Sequence, residues 1–384
     1  MKRPPSMVLR PIRRRRKTPG WIRLLRWALA LGVLTLAWFA LLAAVRPLPL
    51  TPPPATRELR GAWHVHTTRS DGRGSPTDVA QSARGAGLDF LVLTDHNPRE
   101  LPTPVREEGV LLVPGEESST PFGHLADVGT RRALTDAEKV SAPVRAVLEL
   151  GGIAVLAHPL HPQRGWTDLA QARLASGAEV WSGDSAWGAL RQRPFTRLIP
   201  ALATALVSTE RAMVFALAEA QPVEAWLLAL DGPEPKLAFC GPDAHGYPSY
   251  GAAFRWMSVH LTGIAKLPES PAEGAQAVIQ ELRAGRFYCA VDALAPAAGF
   301  AVLPADRRTF RVGEMLEVRL PAVHPPGVQI RVHGPGRMVD ASHVRLESPG
   351  QVLLEVRVET PGLGLGDVSW PWLMAQPMKV EAAP

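Results

Sequence analysis

RGAWHVHTTRSDGRGSPTDVAQSARGAGLDFLVLTDHN, residues 60–97, decides the fold. Two short apolar runs, Gly61–Val65 and Phe90–Leu93, flank a helix signal. Ser75 is the cap, Pro76 occupies the first turn, and Val79, Ala80 and Ala83 form the inward stripe. Residues with metal-ligand chemistry follow each run: His64, His66 and Asp71 at the first, Asp95 and His96 at the second. A strand–helix–strand unit of this kind predicts parallel strands, and parallel α/β folds carry their functional groups at the carboxyl ends of strands.

The same texture repeats downstream. Val110–Val113 leads to Glu116, Glu117 and His124, Ile153–Ala157 leads to His158, and Lys236–Cys240 leads to Asp243 and His245. Glu179–Trp181 is a further strand candidate. Val144, Val147 and Leu148 make a helical stripe stopped by Gly151 and Gly152. Ser270 starts another helix, with Val278, Ile279 and Leu282 as its stripe and Gly285 as its stop. Strands alternating with helices imply a mainly parallel sheet, closed or open. Residues 186–230 read as inserted helices, with Arg191–Ile199 either a lid or a membrane-facing segment. From about Ala301 short strands separated by Pro and Gly predict a small antiparallel β-domain, whose His324, His333 and His343 read as ordinary surface residues.

Alternate residues of a strand point the same way, so His64 and His66 can present both imidazoles to one metal, and Asp243 and His245 repeat the spacing. One such pair is weak evidence; five clusters, each at the end of a strand-like run, point to one polynuclear centre. Imidazole and carboxylate suit zinc, manganese or iron, and a carboxylate can bridge two ions about 3.5–4 Å apart. Such a centre supplies hydroxide from bound water near neutral pH. No Gly-x-Ser-x-Gly, P-loop or Gly-x-Gly-x-x-Gly motif supports a serine hydrolase or a nucleotide fold.

HVHTTRSDG (64–72), LTDHN (93–97), PGEESSTPFGH (114–124), AHP (157–159) and GPDAHG (241–246) together resemble the PHP superfamily, the polymerase and histidinol phosphatase domains. The stretch 282–288 is similar to the end of that domain in its stand-alone phosphoesterase branch. The resemblance implies a distorted (βα)7 barrel with two or three divalent ions. Carried across by motif, it puts His64, His66, Glu117 and Asp243 at a first metal, and Glu117, His124 and His158 at a second. Asp71, His96 and His245 would form a third. Glu117, Asp243 and His245 would be the catalytic residues. Pro-Gly-x-Glu spacing favours Glu117 over Glu116 as the bridge, and Asp95 is expected to orient His96. Arg69, Arg99 and His161 are weaker candidates for substrate contact, guanidinium being suited to phosphate.

The formal net charge of +6 is a property of the tail. Ten Lys and Arg lie within residues 1–26 without an acid, leaving 32 basic against 36 acidic residues, a net of −4. That balance gives no electrostatic case for nucleic acid. Trp27–Val45 is an uncharged apolar run, about 28 Å long as a helix. The basic excess before it predicts a single-pass anchor with the catalytic domain extracytoplasmic. The alternative, a cleaved signal peptide, has a core of about 7–15 residues, shorter than this run. The expected organisation is a basic tail (1–26), a transmembrane helix (27–45), a Pro-rich linker (46–57), a metallohydrolase domain (58–300) and the β-domain (301–384). Cys240 and Cys289 each lie in an apolar stretch and read as small buried hydrophobes, with a single disulfide between them permitted outside the cytoplasm.

The function these features predict is an anchored metal-dependent hydrolase acting on small phosphomonoesters or phosphodiesters. The rivals are a carboxyl or carbamoyl ester hydrolase and a non-enzymatic metal-binding envelope protein.

Overall fold

A computed structural model describes residues 19–45, 58–218, 223–230, 234–360 and 368–383. The Pro-rich linker and most of the basic tail lie outside them. Helix α1 (Gly20–Val45) starts seven residues before the apolar run and takes in Arg23 and Arg26. Among the described residues it is the one helix long and apolar enough to cross a membrane.

The expected unit follows: β1 (Leu59–Val65), α2 (Pro76–Gly85) and β2 (Phe90–Leu93). Ser75 and Asp78 close a reciprocal capping box at the start of α2, satisfying donors a helix leaves open. Val79, Ala80 and Ala83 are its buried face. Next come β3 (Val105–Glu107), β4 (Val110–Thr120) and β5 (Gly123–Val128). Helices α3 (Asp136–Ser141) and α4 (Pro143–Glu149) precede β6 (Ile153–Leu156), α5 (Leu169–Leu174) and β7 (Gly177–Ser182). The insertion holds α6 (Gly183–Gln192), a π-helical turn (Pro194–Leu198), α7 (Ile199–Ala205), α8 (Thr209–Ala218) and α9 (Glu224–Leu228). Then follow β8 (Leu237–Gly241), α10 (Tyr250–Trp256), β9 (Ser258–Leu261), α11 (Pro271–Ala284) and β10 (Phe287–Ala290). Helix α11 ends at Gly285, whose φ of 67° is left-handed backbone that glycine adopts without strain.

Strands β1, β2, β4, β6, β7 and β8 share one direction, with β5 running antiparallel between β4 and β6. β2, β6 and β8 are buried along their whole length, as strands covered on both faces must be. The far edge returns to β1, where Val65 bridges Ala244 and the His66 amide donates to the Ala244 carbonyl. On its other side β1 pairs with β9, and β9 with β10, both antiparallel.

The C-terminal strands are β11 (Ala301–Leu303), β12 (Thr309–Arg311), β13 (Met315–Arg319), β14 (Val328–His333) and β15 (Gly336–Met338). They continue with β16 (His343–Leu346), β17 (Gly350–Thr360), β18 (Val368–Met374) and β19 (Met378–Glu381). Only β11, β13, β16 and β15 form a sheet of their own; β18 hydrogen-bonds to β10, so the main sheet runs on into this region.

The reading of the cysteines is corrected. Cys240 of β8 and Cys289 of β10 form a disulfide, because the curl of the sheet brings two strands 49 residues apart within bridging distance, Cα to Cα 5.9 Å.

Candidate metal centre

Eight of the nine expected ligands lie on the segments that follow β1, β2, β6 and β8 or on the β4–β5 hairpin; the first, His64, lies within β1. The hairpin pairs Glu117 with Ala126 and Ser119 with His124. His64 and His66 converge, though not through plain strand alternation. The β1–β2 register shifts between Ala62 and Val65, and His64 takes a φ of 65°. His158 and Asp243 also lie at positive φ, 32° and 51°. Left-handed backbone at non-glycine residues costs energy and gathers at functional sites. Gly241 is needed beside them, since a Cβ there would stand 2.8 Å from that of His64.

Glu117 is the hub, buried at the centre. Its Oε2 faces His64 Nε2 at 3.0 Å, His66 Nε2 at 3.1 Å and His96 Nδ1 at 3.5 Å. Its Oε1 faces His124 Nδ1 at 2.8 Å and His158 Nε2 at 3.2 Å. Asp243 Oδ1 is 3.3 Å from His64 Nε2 and 3.2 Å from His66 Nε2. The exposed Asp71 closes the open side, with His245 Nε2 at 3.3 Å and His96 Nε2 at 3.7 Å. Three ligand-like groups result: His64, His66, Glu117 and Asp243; His66, Asp71, His96 and His245; and His96, Glu117 and His124. A fourth joins His158 and Asp243 to Asp184 at the start of α6.

Glu116 points the other way, as neighbours on a strand do. It is buried against Lys139 Nζ at 2.9 Å and accepts from Ser118 Oγ and the Leu134 amide. Asp95 does not hold His96, as expected, but accepts from the Thr67 amide and hydroxyl and from Ser70 Oγ. It therefore shapes the loop carrying Asp71. His161 is buried; its Nδ1 accepts from the Gln163 and Arg164 amides, and its Nε2 lies 3.4 Å from Asp184. Arg69 and Arg99 are exposed on the loops after β1 and β2.

Two acids escaped the motif reading. Glu179 is fully buried and accepts from His64 Nδ1, from Trp63 Nε1 at 3.0 Å and from the His158 amide at 2.9 Å. A proton kept on His64 Nδ1 turns the Nε2 lone pair toward Glu117 and Asp243. Its position in a strand-like run before the insertion was the available signal. Asp184 pairs with Arg164 at 2.7 Å, and nothing local marks it.

The electrostatics suit a cation. Burial opposes charging His66, yet Asp243 and Glu117 raise its pKa to about 9. Burial would likewise raise Glu117, but His64, His124 and His158 hold it well below the carboxylate range. Protons on imidazole thus supply the positive charge that these buried acids need, and a divalent ion can displace them. His66 Nδ1 and Nε2, His96 Nδ1, His158 Nδ1 and Asp243 Oδ1 are buried without a hydrogen-bond partner. Each such atom costs about 1–3 kcal/mol unless something coordinates it. The donor set therefore fits divalent metal.

No family model and no curated protein matches the chain. Solved structures similar to it at low identity include the following two. One is a two-domain protein from Bacteroides vulgatus containing a predicted PHP-like metal-dependent phosphoesterase, at 13% identity and a TM-score of 0.35, covering 81% of this chain and 94% of that one. The other, from Bifidobacterium adolescentis, is named as a metal-dependent phosphoesterase, at 15% identity and a TM-score of 0.24, covering 40% of this chain and 86% of that one.

Proposed function

We propose that this chain is a membrane-anchored, metal-dependent phosphoesterase of PHP type, with residues 58–300 as its distorted (βα)7 barrel. One observation carries the reading: the two oxygens of a single buried carboxylate, Glu117, face two separate sets of histidines. That is the arrangement a bridging ligand requires. His64, His66, Glu117 and Asp243 would hold one ion, Glu117, His124 and His158 a second, and Asp71, His96 and His245 a third. Bound divalent metal would supply Lewis acidity and a reactive water near neutral pH.

The chain's own residues prepare that chemistry. Glu179 fixes the ring of His64, and the left-handed backbone at His64, His158 and Asp243 turns their side chains inward. Asp71 and His245 are the most exposed members of the cluster, so their side is the one from which a small phosphoester would approach. The disulfide supports an oxidising compartment, in keeping with α1 as anchor and the catalytic region outside the cytoplasm.

The test is the purified full chain, loaded with manganese or zinc, on phosphomonoesters, phosphodiesters and aryl carboxyl esters in parallel. Metal-dependent phosphate or alcohol release that His64→Ala abolishes is expected. Turnover confined to carboxyl esters, or unaffected by His64→Ala, overturns the reading.

A further inference from the structure

Residues 185–209 contain no acid. They form most of α6, the π-helical turn and α7. Ala201 and Ala203 face inward, but Phe195 is 80% exposed and Leu206 73%, with Leu202 and Val207 also exposed. Arg191 and Arg193 are exposed among them. Bulky apolar side chains interleaved with arginine, without an acid, match the interface of an anionic bilayer, where rings and aliphatic chains enter the acyl boundary and guanidinium meets phosphate.

Continuity says what covers this surface. Helix α7 lies alongside α1, whose stretch Gly20–Trp38 stands unburied. A bilayer around α1 therefore meets residues 191–207. The other end of α6 carries Asp184, grouped with His158 and Asp243. The surface and the metal centre are thus joined by one helix of ten residues, about 15 Å long.

We propose that residues 191–207 seat in the headgroup layer of an anionic bilayer beside α1, and that the metal centre acts on a phosphoester carried by a lipid. The second part rests on the phosphoesterase reading above; the first does not. In the reaction a water oxygen bonds to phosphorus and the ester P–O bond breaks. Its electron pair leaves on the lipid alcohol, which takes up a proton.

The experiment uses the full chain in phosphatidylcholine–phosphatidylglycerol nanodiscs. Both native cysteines are paired, so Phe195→Cys, Leu206→Cys and a control, Val140→Cys on α3, each give one site for an environment-sensitive fluorophore. Labels at 195 and 206 are expected to be quenched by spin-labelled lipid and shielded severalfold from iodide relative to 140. Equal access of iodide to all three sites overturns the seating. So does shielding without lipid quenching, the result a second copy of the chain would give. For the substrate, a Phe195→Ser/Leu206→Ser variant is compared on phosphatidic acid in the nanodisc and on soluble p-nitrophenyl phosphate. A severalfold loss confined to the lipid is expected; equal rates on both substrates before and after substitution overturn the lipid assignment. Absence of turnover on phosphatidic acid refutes the lipid assignment, absence of turnover on every phosphomonoester and phosphodiester of the panel above refutes the phosphoesterase reading with it, and the quenching result still decides the seating.

Discussion

The two ends of β1 hold the two densest polar clusters around that strand, and they are built on opposite terms. At the carboxyl end, His64 and His66 meet Glu117, Asp243 and four further histidines, and several buried nitrogens and one oxygen find no hydrogen-bond partner. At the amino end, roughly 20 Å away, His260 lies between Glu58 and Asp292, its ring nitrogens 3.2 Å from each. Tyr288 donates to Glu58, Ser258 donates to Asp292, and the Gly299 amide donates to Glu58. Each end has buried titratable side chains at its heart, His64 and Glu117 at one and His260 at the other. The difference is satisfaction: one cluster closes on itself and acts as a staple, whereas the other leaves its donors aimed at a common space and needs a ligand.

The sharpest way to break this contrast is to truncate each end in turn. His64→Ala is expected to lower metal-dependent turnover by about a thousandfold or more, consistent with loss of a metal ligand, and to reduce bound metal measured by atomic emission. His260→Gln is expected to leave turnover within about twofold and lower stability instead, by about 1–3 kcal/mol. If both variants lose activity alike, the two ends do not differ as described.

The disulfide ties β8, which leads into the metal centre, to β10, which leads into the staple. Cross-linking residues 49 apart removes chain entropy worth about 4 kcal/mol from the unfolded state. A Cys240→Ala/Cys289→Ala variant should therefore show a lower unfolding midpoint in denaturant, with the wild type matching it once reduced.

Glu179 refines the contrast within the open end, because it holds the His64 ring and the His158 amide from behind and, on the proposed reading, would orient ligands without joining them. Glu179→Gln is expected to weaken metal binding by about 10–100-fold, read by competition with a chelating dye. Turnover at saturating metal should recover most of its value, which loss of a true ligand would not allow.

The smallest effect belongs to pH at the closed end. Burial alone would lower the pKa of His260, but Asp292 and Glu58 raise it to about 8. The folded value exceeds the unfolded one, so this contribution is complete below about pH 6.5 and is lost as pH rises through about 8. Glu58 and Asp292 are shifted down, so their share fades in acid as they protonate. Wild type should lose about 2 kcal/mol of stability between pH 6.5 and 8.5 that His260→Gln does not lose, read from denaturant midpoints across that range.

Much of this arrangement is local and was legible in the chain. Ser75 and Pro76 announce α2, Gly285 ends α11, and the short apolar runs mark six of the strands. His64, His66, Asp71, His96, Glu117, His124, His158, Asp243 and His245 stand out because ligand-type residues follow those runs in order. Strand ends and helix caps depend on residues within a few positions of one another, which periodicity and spacing can read.

What only the tertiary structure decided depends on chain segments far apart. β5 runs against its neighbours, β18 joins the C-terminal strands to β10, and Cys240 meets Cys289. Glu179 reaches His64, Asp184 comes up to His158 and Asp243, and α7 lies along α1. The register shift in β1 turns His64 inward at a positive φ that no spacing rule foretells. The sequence by itself determined which side chains could bind metal and roughly where the strands carrying them stop. The curl of the sheet, a sum of many long-range pairings, decided which of them share one space and which acids stand behind them.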